Sequence, residues 1–191
     1  MQYDAISVTV QVTRVFEKLG VPYFIGGSLA STLYGMVRTT QDSDIIANLR
    51  QEHLPSFVQE LAGEFYMDDE MIANAITRRS SFNIIHRESM FKVDVFIPRE
   101  GNFIKTQFAR ARMEMLSSSP GIAAMVTSPE DILLAKLQWY QLGGETSERQ
   151  WRDVLGVLKV QTGALDKVYL HTWAEELGIS DLLVRALQES E

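Results

Sequence analysis

The sequence predicts an α+β (α/β) protein with a mixed β-sheet flanked by helices and a C-terminal helical segment. Up to about residue 127, short β-prone runs alternate with amphipathic helical patterns, and from Ser128 onward every periodic pattern is helical. The chain has 191 residues, which suffices for one good core with a helical appendage. We therefore expect an α/β core over residues 1–127 and a helical segment over residues 128–191.

The α/β part begins with an amphipathic helix from Val8 to Leu19, because Gly20 follows as a helix stop. The apolar run from Tyr23 to Ile25 predicts the first strand, which breaks at a glycine pair and continues as a short helix. The further elements expected in this part are a second strand through residues 42–46, helices at 54–61, 69–75 and 103–110, an antiparallel strand pair at 82–86 and 90–97, and another strand pair at 113–116 and 122–126.

The helical part opens with a clear start signal at Ser128. Serine is a favoured N-cap, Pro129 suits the first helical position, and acidic residues follow in the first turn. Further helices are expected from residue 147, over 166–178 and from 180 onward, with breaks at 143–144 and 163–164.

Most of the functional information lies in three short clusters: Gly26-Gly27-Ser28, Arg38-Thr39-Thr40 and Asp42-Ser43-Asp44. Alternate residues of a strand point to the same face, so Asp42 and Asp44 should project together. Two carboxylates next to a glycine–serine turn at a helix start make a natural binding place for a divalent cation and a polyphosphate. Each cluster alone is weak evidence, because Asp-x-Asp is commonly a solvated turn and a second glycine pair occurs in an ordinary loop. The order in which the three clusters follow one another along the chain strengthens the prediction of a binding site.

A third carboxylate lies in the β-prone run from Met90 to Pro98. Asp94 stands between two valines in this run, and burying a lone acid in an apolar strand is costly. It therefore either contacts a cation or lies at an exposed sheet edge, where a charge deters aggregation. We favour the cation role because Asp42 and Asp44 are identified on separate grounds.

The order of strand, Gly-Gly-Ser, helix, Arg-x-Thr and Asp-x-Asp resembles the nucleotidyltransferase superfamily founded on DNA polymerase beta. It looks most like small stand-alone members, such as abortive-infection and toxin–antitoxin nucleotidyltransferases. The resemblance covers residues 22–98 well and the C-terminal helices in outline. It implies the nucleotidyltransferase fold, with the helical segment closing the site, and transfer of a nucleoside monophosphate from an NTP to a hydroxyl acceptor. The sequence departs from the family pattern at Ser43, where an apolar residue is usual.

The resemblance also implies the roles of individual residues. Asp42, Asp44 and Asp94 are the implied catalytic residues and ligands of Mg²⁺ or Mn²⁺, and Asp94 also receives the proton of the acceptor hydroxyl. The implied nucleotide-binding residues are Gly26, Gly27, Ser28, Arg38 and Lys136. Arg152 and Asp153 match an Arg-Asp motif and are accessory candidates.

Several of these residues also have a simpler interpretation. Ser28 fits a plain N-cap, which is compatible with phosphate binding. Lys136 fits a surface lysine whose stem lies along an apolar stripe equally well. The segment Arg149–Asp153 fits ion pairing on a helix surface, and Arg38 fits a pairing with an aspartate as well as with phosphate.

Composition excludes several other function classes. The chain has no cysteine, so disulfide, thiolate and cysteine–zinc chemistry are excluded, and its net charge of −7 argues against broad nucleic-acid affinity. The three histidines show no metal-ligand spacing and are expected to be structural or at the surface: His53, His86 and His171. Four aromatic residues have core-like spacing in the helical part: Trp139, Tyr140, Trp151 and Trp173.

The expected location and partners follow from the same evidence. No apolar run is long enough for a membrane span and the start lacks the basic residues of a signal peptide, so we expect a cytoplasmic protein without membrane contact. The expected partners are an NTP, an acceptor and, for a toxin, an antitoxin. The acceptor is RNA such as a tRNA end, a protein side chain, or a small molecule such as an aminoglycoside. The alternative from another class is a non-catalytic module that binds a nucleotide or a partner.

Overall fold

The structure is a computed structural model that describes residues 4–37, 39–118 and 121–190. Its helices are α1 (Ala5–Lys18), α2 (Gly27–Tyr34), α3 (Leu54–Leu61), α4 (Asp69–Arg78), α5 (Asn102–Arg110), α6 (Pro129–Leu142), α7 (Glu148–Val160), α8 (Lys167–Glu176) and α9 (Ser180–Ser190). Its strands are β1 (Tyr23–Ile25), β2 (Asp42–Ala47), β3 (Phe65–Tyr66), β4 (Ser81–His86), β5 (Lys92–Phe96), β6 (Arg112–Ser118) and β7 (Gly121–Val126). None of these helices is long and apolar enough to cross a membrane.

The strands of the described residues form one seven-stranded sheet in the order β3-β4-β5-β2-β1-β7-β6. β2 lies parallel to β5 and antiparallel to β1, and β1 lies parallel to β7. The two predicted strand pairs, β4 with β5 and β6 with β7, are both antiparallel. The predicted α+β class with a mixed sheet is therefore confirmed.

One face of the sheet is buried beneath α1, α3 and α4. The residues of β2 and β5 on this side are fully buried: Ser43, Ile45, Ala47, Val93 and Val95. Within this layer the ring of Phe16 stacks on that of Phe57, and Phe57 meets Phe82 of β4 edge to face. Because side chains alternate across a strand, the intervening residues of β2 and β5 lie on the opposite, less covered face.

Side-chain caps fix the beginnings of several helices. At α1 the amide of Ser7 donates to Asp4 Oδ1 and the amide of Asp4 donates to the Ser7 hydroxyl, which completes a capping box. In the C-terminal part, the N-caps of α6, α7 and α8 each accept from the amide three residues further on: Ser128, Ser147 and Asp166. The predicted helix starts at Ser128 and Ser147 are thus confirmed.

The described residues divide into two compact units. One contains the described residues up to 26 and those from 40 to 126, with the sheet and helices α1, α3, α4 and α5. The other contains the described residues from 27 to 39 and from 127 onward, with α2 and α6 to α9. The short helix α2 therefore groups with the C-terminal helices, although it lies early in the chain.

A close backbone approach joins α2 to α7 within the second unit. A Cβ atom at Gly35 would lie 2.8 Å from the carbonyl oxygen of Ser31 and 2.9 Å from the amide nitrogen of Val157. Both atoms belong to backbone, which cannot rotate away as a side chain does. Glycine is required here so that the end of α2 can lie against α7.

Two predicted helix boundaries are corrected. The first helix begins at Ala5 rather than Val8, because the Asp4 capping box starts it earlier. The helix predicted at 69–75 continues to Arg78 and ends at Arg79, which adopts a left-handed conformation with φ of 50°.

Core placement is confirmed for some of the predicted aromatic residues and wrong for one. Tyr140 and Trp151 are buried, with ring centroids 5.1 Å apart. Trp139 is 56% exposed, because it lies near the C-terminal end of α6, where residues 141 and 142 are exposed as well. Core-like spacing therefore did not distinguish the two neighbouring aromatic residues of α6.

Candidate functional site

The less covered side of β2 and β5 carries a group of charged residues, here called the carboxylate face: Asp42, Asp44, Lys92 and Asp94. In the parallel pairing of the two strands, Asp44 lies level with Asp94 and Asp42 lies level with Lys92. Alternation along each strand places the four side chains on one face. The structure thus brings together the three acids selected from the sequence, and each of them is partly exposed.

Thr40 positions Asp42 at the start of β2. The Thr40 hydroxyl donates to the carbonyl oxygen of Asp42 at 2.7 Å and lies 3.2 Å from its Oδ1. One side chain therefore restrains both the backbone and the carboxylate of Asp42, before any ligand is bound.

Lys92 makes an ion pair with Asp94 on the same strand. Its Nζ lies 2.7 Å from Asp94 Oδ2, and the two side chains are 43% and 19% exposed. The hydrogen bond to Asp94 raises the pKa of Lys92, and the charges of Asp94, Asp42 and Asp44 raise it further against an opposing effect of burial. The ammonium group is therefore held by the combined negative charge of the face.

The backbone positions and the chemistry of the three carboxylates fit a hard divalent cation. Aspartate oxygens are the ligands that Mg²⁺ prefers, and two neighbouring strands supply them from adjacent positions. Within the described residues, no three acidic or histidine side chains are yet grouped closely enough to hold a metal ion. The Lys92 ammonium contacts one Asp94 oxygen, so a cation that used this oxygen would have to displace the ammonium.

The glycine pair follows β1, with Gly26 between β1 and α2 and Gly27 as the first residue of α2. The amide of Gly26 donates to the carbonyl oxygen of Asp44 at 2.9 Å, which ties the chain to β2 just before α2 begins. Gly27 opens the helix with φ of 52°, a conformation that favours glycine. Ser28 is buried as the second residue of α2, so its interpretation as the N-cap is wrong.

Lys136 of α6 is buried in an ion pair with Asp153 of α7. Its Nζ lies 2.8 Å from Asp153 Oδ2, and the two side chains are 7% and 10% exposed. Gln150 Oε1 lies 3.4 Å from the same ammonium, and the Ser31 hydroxyl lies 3.5 Å from Asp153 Oδ2. The interpretation of Lys136 as a surface lysine is therefore wrong, and its contact with a triphosphate stays a prediction.

The arginines of the α7 motif do not join this pair. Arg149 is exposed, and Arg152 is exposed and lies 3.9 Å from Glu148 one helical turn earlier. Surface ion pairing thus describes Arg152, whereas Asp153 points into the packed helices. Arg38, predicted to bind phosphate, lies outside the described residues.

The structure is similar to solved nucleotidyltransferase structures. One is an antigenic nucleotidyltransferase-like protein from Paracoccidioides brasiliensis, with 16% identity, a TM-score of 0.54 and coverage of 96% of this chain and 92% of that chain. Another is a lincosamide antibiotic adenylyltransferase bound to lincomycin, with 16% identity, a TM-score of 0.54 and coverage of 83% and 99%. The chain has the nucleotidyltransferase fold. No family model matches the sequence, and no curated protein matches it.

The structural likeness, with a TM-score of 0.54, shows the fold, and at 16% identity it shows the fold alone, so activity is argued from the residues. The nucleotidyltransferase fold expected from the Gly-Gly-Ser and Asp-x-Asp pattern is thereby confirmed. The carboxylate face supplies the residues on which a functional argument can rest.

Sequence reasoning did not assign a role to Lys92 or Thr40, which both contact the predicted acids. The signal for Lys92 was present, because it lies two residues before Asp94 on a predicted strand and must share its face. The same alternation was used for Asp42 and Asp44 and was not extended to β5. Thr40 had no comparable signal, since its contact depends on the conformation of the chain before β2.

Proposed function

We propose that this protein is a divalent-cation-dependent nucleotidyltransferase, which moves a nucleoside monophosphate from an NTP to a hydroxyl acceptor and releases pyrophosphate. The supporting observation is the pairing of β2 with β5, which sets Asp44 level with Asp94 and places Asp42 on the same face. Among the described residues, three carboxylates and one ammonium at neighbouring positions leave this face with net negative charge. Net negative charge favours the binding of a cation, which supports a role that uses a divalent ion.

In the proposed reaction, Asp42 and Asp44 hold the cation and Asp94 completes its ligands. When bound, Mg²⁺ offsets the charge of the phosphate oxygens and helps to align the acceptor oxygen. The bond between the α-phosphorus and the pyrophosphate oxygen breaks as the acceptor oxygen bonds to phosphorus. Asp94 accepts the proton of the acceptor hydroxyl, while Thr40 keeps Asp42 in position.

The roles of Gly26, Gly27, Ser28 and Lys136 in nucleotide binding are part of the same proposal. Gly26 lies beside Asp44 through its amide hydrogen bond, which supports a place for the following turn near the phosphates. Lys136 already neutralises Asp153, so it would have to share its charge between that carboxylate and a phosphate.

A single substitution tests the catalytic assignment. Asp94→Asn preserves shape but removes a metal ligand and the proton acceptor, so we expect transfer to be abolished while the fold and part of the NTP binding remain. Transfer is measured with labelled NTPs and folding by circular dichroism. Asp69→Asn, at an exposed carboxylate in the first turn of α4, is the matched control and should transfer normally. Full transfer by Asp94→Asn would reject the proposed role of Asp94.

Cation dependence is tested without any acceptor. Mg²⁺ or Mn²⁺ together with an NTP should raise the melting temperature by more than the sum of the separate shifts, because the cation neutralises carboxylates that would repel the triphosphate and the triphosphate supplies further oxygen ligands to the cation. Calorimetry that found NTP binding independent of the cation would favour the non-catalytic nucleotide-binding module instead.

The acceptor is tested with a panel of labelled transfers. tRNA, a protein mixture including any antitoxin-like partner, and an aminoglycoside represent the three acceptor classes expected from the sequence. Lincomycin is added because a structure of the same fold holds it. Label on one class identifies the acceptor, and label on tRNA or protein supports a role as a toxin.

A further inference from the structure

Lys92 places a positive charge where the proposed reaction needs a cation. It lies level with Asp42 on the neighbouring strand and its ammonium lies 2.7 Å from Asp94 Oδ2. The four residues of the carboxylate face thus supply three carboxylates and one ammonium.

The Lys92–Asp94 pair contributes little to holding the fold together. Its lysine is 43% exposed, and exposed pairs contribute on the order of 0–1 kcal/mol to stability. The strands are held by their backbone ladder and by the buried residues of the other face, which the pair does not touch. The pair can therefore open at small cost to the sheet.

The same pair opposes the loading of a cation. A divalent ion that used Asp94 Oδ2 would need to replace the ammonium there and would be repelled by it if it stayed nearby. Asp94 thus has two competing partners, one tethered to the chain and one from solution.

We propose that Lys92 is a built-in counter-ion of the carboxylate face, which competes with the divalent cation for Asp94 and so sets the cation concentration at which the face is loaded. This inference rests on the proposed function, since it assumes that the carboxylate face binds the cation. It adds a regulatory residue that is neither a ligand nor a proton acceptor.

The test measures Mn²⁺ binding to the nucleotide-free protein, with free Mn²⁺ followed by electron paramagnetic resonance. Lys92→Met removes the charge and keeps the length of the side chain. For a single charge about 5 Å from a divalent ion in water, we expect affinity for Mn²⁺ to rise about tenfold. Combining Lys92→Met with Asp94→Asn should remove the gain, because the gain depends on release of that carboxylate.

Lys18→Met is the matched control. Lys18 of α1 also forms an exposed ion pair, 2.6 Å from Glu60, and α1 packs on the opposite face of the sheet. The control removes the same charge and a similar pair, so Mn²⁺ affinity should change by less than about twofold, as expected for charges separated by more than a Debye length.

Each outcome decides the inference. A gain in Lys92→Met alone supports it, including the case in which the parent protein binds no Mn²⁺ and the variant does. Equal or weaker binding by Lys92→Met, with normal Mn²⁺ binding by the parent, overturns the inference and leaves the proposed function standing. If neither protein binds Mn²⁺ in the presence or absence of NTP, both the inference and the proposed cation dependence fail.

Discussion

Two lysine–aspartate pairs of almost equal length occur in the two units of this protein, in opposite surroundings. Lys92 and Asp94 lie 2.7 Å apart on the partly exposed carboxylate face, whereas Lys136 and Asp153 lie 2.8 Å apart with both side chains at most 10% exposed. Water screens the first pair and can replace either partner. The second pair is enclosed by α6 and α7, with polar atoms of Gln150 and Ser31 nearby.

The comparison shows that the distance between the two charges does not by itself predict how much an ion pair contributes to stability or how readily it exchanges partners. An exposed pair gains little from its geometry and exchanges partners readily, which suits a face that must accept a ligand. A buried pair has already lost the hydration of both charges, so loss of one partner leaves the other charge in a poor environment. We therefore expect the helical unit to tolerate changes in its pair poorly and the carboxylate face to tolerate them well.

Removing the lysine from each pair should produce the largest difference in stability. Lys136→Met should lower the free energy of unfolding by about 3–5 kcal/mol, because it removes the ammonium that balances the buried Asp153 charge. Lys92→Met should lower it by less than about 1 kcal/mol. Urea denaturation of both variants measures the two values.

A second variant guards against a failure of Lys136→Met to fold. Lys136→Met combined with Asp153→Leu removes both buried charges and should recover most of the lost stability. Equal losses from Lys92→Met and Lys136→Met would contradict the contrast between the two pairs.

Gly35 of the helical unit and Gly26 of the sheet unit differ in the same way, because an added Cβ would meet backbone atoms at the first and the end of a side chain at the second. Gly35→Ala should destabilise the protein by about 2–3 kcal/mol, because its Cβ would meet backbone atoms of Ser31 and Val157. At Gly26 the Cβ would lie 2.9 Å from Cδ1 of Ile46, the end of a side chain that can rotate, so Gly26→Ala should cost about 1 kcal/mol. Thermal unfolding ranks the two variants, and a larger loss at Gly26 would show that the turn before α2 is the more rigid place.

The smallest expected effect is a gain in stability within the sheet. Ser43 is fully buried, and its hydroxyl has no hydrogen-bond partner among the described residues. Ser43→Ala removes a polar group that lost its water on folding, so the free energy of unfolding should rise by about 1 kcal/mol. The carboxylates of the opposite face stay in place, and NTP binding should not change. A loss of stability in this variant would mean that the hydroxyl makes a contact after all.

The sequence predicted the sheet and the three acids because local patterns determine them. The alternation in residues 42–46 places Asp42 and Asp44 on one face, the β-prone run around Asp94 marks a second strand, and the structure pairs the two strands with the three acids on the same face. The helix starts at Ser128 and Ser147 are likewise predictable from the local sequence, because each serine caps the helix that follows it directly.

Features that depend on distant parts of the chain were not predictable in this way. The burial of Lys136 depends on Asp153, which is brought to it by the packing of α7 on α6. The exposure of Trp139 depends on how far along α6 the other helices cover it, because Ile132 lies on the same side of the helix and is buried. The grouping of α2 with the C-terminal helices follows from the close approach at Gly35, which no local pattern signals.

The parallel pairing of β2 with β5 also has a consequence for the order of folding. β4 and β5 are joined by a short turn and can pair locally, but β5 reaches β2 only after the chain from residue 48 to 91 has closed as a loop. Closing a long loop costs entropy before its contacts form, and such non-local pairings are slow steps. We therefore expect Asp44 and Asp94 to meet late in folding, after β4 and β5 have paired. On this order, the repulsion between the two carboxylates would arise only after other contacts of the sheet have formed, and these contacts could offset it.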